Sequence, residues 1–398
     1  MERIGIFGGT FNPPHIGHMR AAQCAVEHLN LDRLILIPNG VAPHKTVSPG
    51  ATGAQRMEML RSSAAGMEKA ELSDLELRRE GKSSTVDTVA QLRAEHPGDE
   101  LILLMGTDMF LSFDSWYRPE DILKEVSLGV FYRGEKQEKD AIDAQKEKLE
   151  AQGAKVELVH NPVTEISSTD LRRMLVFGCA DPFLCPGVGD YIRENHLYGV
   201  GKNLRNLPME ELETEAIDLL KDNRKAHVRG VRKMAGILAR RYGADVTDAE
   251  RAGLLHDVTK AIDGPLQLTF CREYGITLNK FSSENPKTLH ALTGSYVAKR
   301  LFGENDEVVT AIRWHTTGRA HMGLLEKIVY IADYTEENRK FPGVDRLREA
   351  AMRDIDEAML MGLEMTIAQL TEQKREIAQA SLDAREYFRQ VCAAKKHS

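Results

Sequence analysis

The sequence predicts an α/β domain built on a mostly parallel sheet, followed by an all-helical domain. In the first half, short apolar or β-branched runs alternate with amphipathic stretches. This βαβ pattern places helices on both faces of a parallel sheet and ligands at the carboxyl ends of its strands. From about Leu212 the pattern changes to Ala, Leu, Met, Arg and Glu at helical spacing, broken by Asp-Gly, Asn-Pro and Phe-Pro-Gly turns, with few strand signals.

Arg3 to Phe7, Arg33 to Pro38, Leu101 to Met105, Ser127 to Tyr132 and Lys155 to Val159 read as strands, with helical patterns between them. The charge-rich segment Lys136 to Ala151 reads as a solvated helix with no assigned function. Gly199 to Pro208 holds turn and breaker residues without a clear period, which places a linker there. The expected organisation is a first domain over residues 1–199, a linker over 200–209 and a helical domain over 210–398.

At 398 residues the chain is long enough for two or three domains, taking roughly 150 residues for each. With 42% hydrophobic and 28% charged residues it has the apolar content to bury real cores. No stretch approaches the roughly 18 uncharged apolar residues of a membrane span. The start, Met1 to Pro14, lacks the apolar run of a secretory signal. The expectation is a soluble, cytoplasmic protein without a membrane partner. Five scattered cysteines with no C-x-x-C pair suggest neither a disulfide framework nor a thiolate metal site.

Net charge is −7, unevenly distributed: residues 1–200 carry 30 Asp and Glu against 22 Lys and Arg, and residues 201–398 carry 30 against 31. An acidic first half argues against a nucleic-acid polymer as partner, since such proteins show a basic footprint. Small anionic substrates remain open to local positive groups.

The first predicted strand runs into Gly8-Gly9-Thr10-Phe11-Asn12-Pro13-Pro14-His15-Ile16-Gly17-His18, and a helix follows. Glycines let backbone N–H groups approach an anion, and a helix N-terminus adds partial positive charge. The string matches neither the Walker A loop nor G-x-G-x-x-G. His15 and His18, three residues apart at a helix start, can face one ligand and donate N–H groups to phosphate oxygens as a bond breaks.

This string resembles the GxFxPxHxGH signature of nucleotidyltransferases, and a second signature stands at Ile166-Ser167-Ser168-Thr169-Asp170-Leu171-Arg172. Further matches are Pro43-His44-Lys45, Arg56-Met57, Ser84 to Thr88, Gly106-Thr107-Asp108 and Trp116-Tyr117. Together they resemble bacterial nicotinate-nucleotide adenylyltransferase over essentially all of residues 1–199. The resemblance implies a Rossmann-like nucleotidyltransferase domain that transfers AMP from ATP to nicotinate mononucleotide, giving deamido-NAD and pyrophosphate, with Mg2+ accompanying ATP. It implies catalytic roles for His15, His18 and Arg172. It implies substrate contacts from Gly8, Gly9, Thr10, Phe11, Lys45, Thr85, Gly106, Asp108, Trp116, Ile166, Ser167, Ser168 and Thr169. Ser168 and Thr169 can equally serve as an N-cap, and Trp116 can serve the core as well as a pyridine ring.

The second half holds His227, the pair His256-Asp257, His290, His315 and Asp333, with separations of 29, 33, 25 and 18 residues. Several interrupt apolar helical stretches, as in Ala252 to Lys260 and Ile328 to Asp333. Buried polar groups of this kind need partners. Imidazoles and carboxylates from different helices can converge on a metal ion, and a mixed N/O set suits Fe2+, Mn2+ or Co2+.

The ordered set H…HD…H…H…D resembles the HD hydrolase superfamily. Its local strings, His256 to Lys260, Leu289 to Gly294, His315 to Gly318, Leu325 to Tyr334 and Phe341 to Val344, resemble the bacterial HD-domain symmetrical diadenosine tetraphosphatases. That resemblance implies hydrolysis of diadenosine tetraphosphate to two ADP and a metal role for His227, His256, Asp257, His290, His315 and Asp333. Asp257 is best placed to bridge two ions, with one ion also open. Lys260 is assigned a catalytic, phosphate-contacting role, with a solvated lysine as its alternative. For the whole helical half, a phosphohydrolase of another nucleotide and a metal-stabilised dimerisation module, hence a homo-oligomer, stay open.

Overall fold

A computed structural model describes residues 1–40, 50–81, 83–132, 136–161 and 166–396. The chain divides into two compact units, Met1–Gly201 and Lys202–Ser398.

The first unit is a six-stranded parallel sheet of β1 (Arg3–Gly9), β2 (Arg33–Pro38), β3 (Ala70–Leu72), β4 (Glu100–Gly106), β5 (Ser127–Tyr132) and β6 (Val156–His160), in the order β3-β2-β1-β4-β5-β6. Successive side chains on a strand point to opposite faces, so apolar runs supply two cores. Ile4, Ile6, Ile35, Ile37, Leu101 and Leu103 enter one with Val86 and Val89. Phe7, Leu34, Leu36, Ile102 and Leu104 enter the other with Ala21, Ala22 and Ala25 of the Ile16–His28 helix.

The chain leaves β1 toward β2 on one side, while β4 pairs on the other. The crevice beyond the carboxyl ends of β1 and β4 is therefore the topological switch point where Rossmann-like sheets hold ligands. Two elements differ from expectation. β3 is an additional, short strand whose residues are only partly buried or exposed, so no apolar run marks it. The helix Lys136–Glu150 is solvated on one side only, because Ile142 and Leu149 are buried in the first core.

The second unit is helical, with no strand among its described residues. Its central helices are Asp222–Tyr242, Val246–Leu255, Leu289–Val297, Asp306–Trp314 and Leu324–Thr335. Asp245 and Asn305 cap two of them, accepting from the N–H groups of Asp248 at 2.8 Å and Val308 at 3.0 Å. No helix among the described residues is long and apolar enough to cross a membrane.

Helices Asp222–Tyr242 and Val246–Leu255 approach closely at Gly253. A Cβ there would lie 2.9 Å from Arg232 Cα and 3.0 Å from its nitrogen, and backbone cannot yield as a side chain can. Gly253→Ala is expected to force the helices apart and destabilise the second unit by about 1–3 kcal/mol. Thermal unfolding followed by circular dichroism checks this; an unchanged transition overturns the reading of that crossing.

Candidate functional sites

In the first unit, the turn after β1 is built before any ligand arrives. Phe11 holds φ +45° with its ring fully buried, edge-on to Phe7 at 5.8 Å and to His18 at 5.0 Å between ring centroids. Phe11, and likewise the buried Ile166, can offer a ligand only backbone. His15 is the N-cap of the Ile16–His28 helix, and its ring lies 3.6 Å from that of His18. The His15 N–H donates to His18 Nδ1 at 3.2 Å. That bond leaves the ring proton of neutral His18 on Nε2, making Nε2–H a donor. Burial pushes the His15 pKa down to about 4, and burial with the neighbouring His15 holds His18 well below the usual range. Both are therefore neutral N–H donors at pH 7 rather than cations.

The two sequence motifs meet here. Arg172 Nη1 donates to the Asn12 carbonyl at 2.7 Å, Arg172 Nη2 to Thr169 Oγ1 at 3.1 Å, and Ser168 Oγ to the Pro13 carbonyl at 3.1 Å. Ser167, not Ser168 or Thr169, caps the Ser168–Phe177 helix, accepting from Asp170 N–H at 3.0 Å. The Ser168 hydroxyl is thus engaged in joining the motifs. Asn12 and Tyr198 were not singled out from sequence, yet Tyr198 donates to Asn12 Oδ1 at 2.7 Å. Arg56 adds a clamp, donating to the carbonyls of Thr10 at 2.7 Å and Asn39 at 2.9 Å.

Gly8, Thr85, Gly106 and Trp116 line one cleft of about 150 Å³, open to solvent, at the switch point. Trp116 also packs on Phe113 at 5.1 Å, so it serves core and cleft together. A neighbouring hollow of about 340 Å³ takes in Gly106, Asp108, Phe131 and Asn161. Gly9 lies in β1 and the exposed Thr10 just after it. Lys45 and its motif fall outside the described residues.

In the second unit, five helical segments deliver their polar residues to one buried point. Asp257 is 1% exposed. Its Oδ2 lies 3.5 Å from His256 Nε2 and 3.9 Å from His227 Nε2; its Oδ1 lies 3.4 Å from His290 Nε2 and 3.7 Å from His315 Nε2. Asp333 Oδ1 lies 3.1 Å from His227 Nε2 and 3.9 Å from His256 Nε2. All six residues singled out from sequence are brought together.

The opposite edge of each imidazole is occupied. His256 Nδ1 faces the Gly253 carbonyl at 2.7 Å, His315 Nδ1 that of Ile312 at 2.7 Å, and His290 Nδ1 that of Lys287 at 2.8 Å. A carbonyl only accepts, so each places the proton on Nδ1 and aims the Nε2 lone pair inward. The buried Nε2 atoms of His227, His256 and His315 have no hydrogen-bond partner. Burial holds His256 and His290 well below the ordinary histidine range and takes His315 to about 4. Neutral, inward-facing lone pairs beside carboxylates are the donor set a divalent cation requires, and His227, His256, Asp333 and His256, Asp257, His315 form two groups able to hold one.

Burial pushes the Asp333 carboxyl up, but the Arg339 guanidinium beside it works the other way, and the carboxyl is held well below the usual range. Arg224 pairs with Asp257 and Arg339 with Asp333. Lys260 Nζ lies 3.0 Å from His290 Nδ1 and 3.1 Å from its Nε2; with the Nδ1 proton given to the Lys287 carbonyl, the lysine donates to Nε2. Arg224, Arg339 and the buried Glu336, 3.1 Å from His227 Nδ1, were missed from sequence, where a charged residue on a helix reads as solvated.

Residues 6–174 match the cytidylyltransferase-like family and residues 224–338 the HD domain. A probable nicotinate-nucleotide adenylyltransferase of Listeria welshimeri is 36% identical over 198 residues, covering 50% of this chain and 98% of that protein. One of Pelobacter propionicus is 35% identical over 211 residues, covering 49% and 98%. The crystal structure of a predicted HD superfamily hydrolase involved in NAD metabolism from Clostridium acetobutylicum is 36% identical, covering 46% of this chain and 98% of its own, with a TM-score of 0.45.

The lowered His15 pKa has a stability consequence. Between its folded value of about 4 and the ordinary 6.5, the unfolded chain binds the proton that the folded chain refuses, so this contribution to stability is full above the window and is lost as the pH is lowered through it. Urea unfolding of the full chain, read through Trp116 fluorescence in a Trp314→Phe background, is expected to weaken from pH 7.5 to 5. His15→Gln is expected to reduce that slope, leaving the share contributed by His18, and an equal slope in the variant counts against this titration.

Proposed function

Because the chain belongs, through its first unit, to the nicotinate-nucleotide adenylyltransferase family and carries an HD domain in its second, we propose a bifunctional enzyme. The first unit transfers AMP from ATP to nicotinate mononucleotide, and the second hydrolyses diadenosine tetraphosphate to two ADP. The observation that carries the first activity is the junction of the two motifs, Arg172 and Ser168 bonded to the Asn12 and Pro13 carbonyls, at the switch point of the sheet.

The mononucleotide phosphate oxygen bonds to the α-phosphorus of the magnesium complex of ATP as the bond to the leaving pyrophosphate breaks. No enzyme nucleophile is needed, so the rate depends on alignment and on donors that meet growing charge. His18 Nε2–H and His15 supply neutral donors, and Arg172 supplies positive charge held in place by Asn12 and Thr169. The cleft at Thr85 and Trp116 is assigned to the pyridine ring, with Trp116 as its flat wall. The adjoining hollow at Asp108 is assigned to adenosine.

The HD activity rests on the inward-facing Nε2 atoms around Asp257. Fe2+, Mn2+ or Co2+ held there supplies Lewis acidity and acidifies a bound water. His227, His256 and Asp333 would hold one ion, and Asp257 with His315 and His290, whose Nε2 atoms lie 3.7 and 3.4 Å from Asp257 Oδ1, would hold the other. Arg224, Arg339 and Lys260 bring positive charge toward the polyphosphate. Water adds to one of the two central phosphorus atoms, and the bond from that phosphorus to the central bridging oxygen breaks, leaving ADP on each side.

Full-length protein given ATP, magnesium and nicotinate mononucleotide is expected to release pyrophosphate. His18→Ala is expected to slow this about 100- to 1,000-fold, the range for losing one preorganised donor, and a fully active variant overturns the role of His18. With diadenosine tetraphosphate and Mn(II), chromatography is expected to show ADP alone, lost in Asp257→Ala. AMP with ATP would reassign the bond broken, and intact substrate would overturn this substrate for the HD half.

A further inference from the structure

Three of the four clustered histidines solve the problem of ring orientation locally. His256, His290 and His315 each point Nδ1 at the carbonyl three residues earlier, Gly253, Lys287 and Ile312. Each can do so because it lies at or just beyond a helix end, where that carbonyl is not committed to a regular helical bond. His227 stands inside the Asp222–Tyr242 helix, where the preceding carbonyls are committed to the helix. Its Nδ1 partner comes from 109 residues away: Glu336 Oε1, at 3.1 Å.

Glu336 is built for this place. It is 1% exposed. Its other oxygen, Oε2, accepts from the Asn338 backbone N–H at 2.7 Å and from Asn338 Nδ2 at 2.9 Å, two donors that suit a carboxylate. Arg348 pins the segment by donating to the carbonyls of Thr335, Glu336 and Arg339 at 2.9, 2.8 and 3.0 Å. Gly230, one turn along from His227, supplies the space: a Cβ there would stand 2.2 Å from Glu336 Oε2.

A carboxylate makes the imidazole it accepts from more basic than a neutral carbonyl does, and so a stronger ligand. We propose that Glu336 is a positioning residue that makes the two ion positions unequal: the one framed by His227, His256 and Asp333 binds its divalent cation more tightly than the one framed by His290, His315 and Asp257. This rests on the reading that the cluster holds divalent ions.

The test is Mn(II) binding to chelator-treated full-length protein, with free Mn(II) read by electron paramagnetic resonance. The wild type is expected to show two classes of site, and His290→Ala to remove the weaker while sparing the tighter. Glu336→Gln is expected to weaken the tighter class about 10- to 100-fold and leave the weaker unmoved. Gly230→Ala, which displaces the carboxylate without removing it, is expected to give the same selective loss, with circular dichroism confirming the fold of each variant. Equal weakening of both classes, an unmoved tight class, or a single class in the wild type overturns the proposal. Absence of any Mn(II) binding by the wild type instead removes the ion reading beneath it.

Discussion

The buried carboxylate of Asp257 is the constraint around which the second unit is arranged. An ionised group 1% exposed is tolerable only with compensating charge; here the Arg224 guanidinium supplies part of it, and the four imidazole Nε2 atoms that face the carboxylate leave a place for a cation. Each histidine must in turn present the correct nitrogen, which His256, His290 and His315 achieve by standing at helix ends and His227 by a carboxylate from elsewhere in the chain. A buried polar network supports the arrangement: Thr259 Oγ1 donates to the His290 carbonyl at 3.1 Å, and Gln267 joins Thr293 Oγ1 at 2.6 Å to the Thr259 carbonyl at 2.7 Å. These bonds fix the Leu289–Val297 helix against the turn carrying His256 and Asp257, so packing and ligand geometry are one problem.

The first unit meets the opposite requirement. Its site stays open at the edge of a sheet, where substrates bring the negative charge, and the protein prepares donors rather than burying acceptors. The carbonyls of Thr10, Asn12 and Pro13 are each held by a side chain distant in sequence, from Arg56, Arg172 and Ser168. These bonds orient the loop's remaining groups. Neutral histidines suit such a site because a donor that is already uncharged gives up no hydration of a charge when an anion arrives.

Much of this could be read from the chain. Four strands were visible as apolar runs buried on both faces and β6 by its Val156, Leu158 and Val159 despite Glu157 and partial exposure, and the helical half because its period is unbroken by strand signals. The six polar residues of the cluster, Asp257 among them, stood out because several interrupt apolar helices. β3 was not legible, since Ala70–Leu72 is short and incompletely buried. Nor were Asn12, Tyr198, Arg224, Glu336 and Arg339: the residue type of each is ordinary for a turn or solvated face, and its role depends on a partner far along the chain. Ser167 shows the limit at finest scale, where neighbouring hydroxyl residues compete for one cap and only backbone geometry at the helix start decides between them.

The charges touching the HD cluster nearly cancel. Asp257, Asp333 and Glu336 contribute three negative charges, and Arg224, Arg339 and Lys260 three positive ones, while His256, His290 and His315 are held neutral by burial. A divalent cation entering this set brings charge that the protein itself does not balance. Excess positive charge in a largely buried site is costly, and an incoming polyphosphate is the natural counter-charge. In the proposed reaction, ion and substrate therefore favour each other's binding, because a coupling free energy acts equally in both directions. The same arginines that pair with the carboxylates are the groups an anion would attract. A single balanced cluster can thus hold its own buried charges apart from substrate and still favour an anion once an ion is bound.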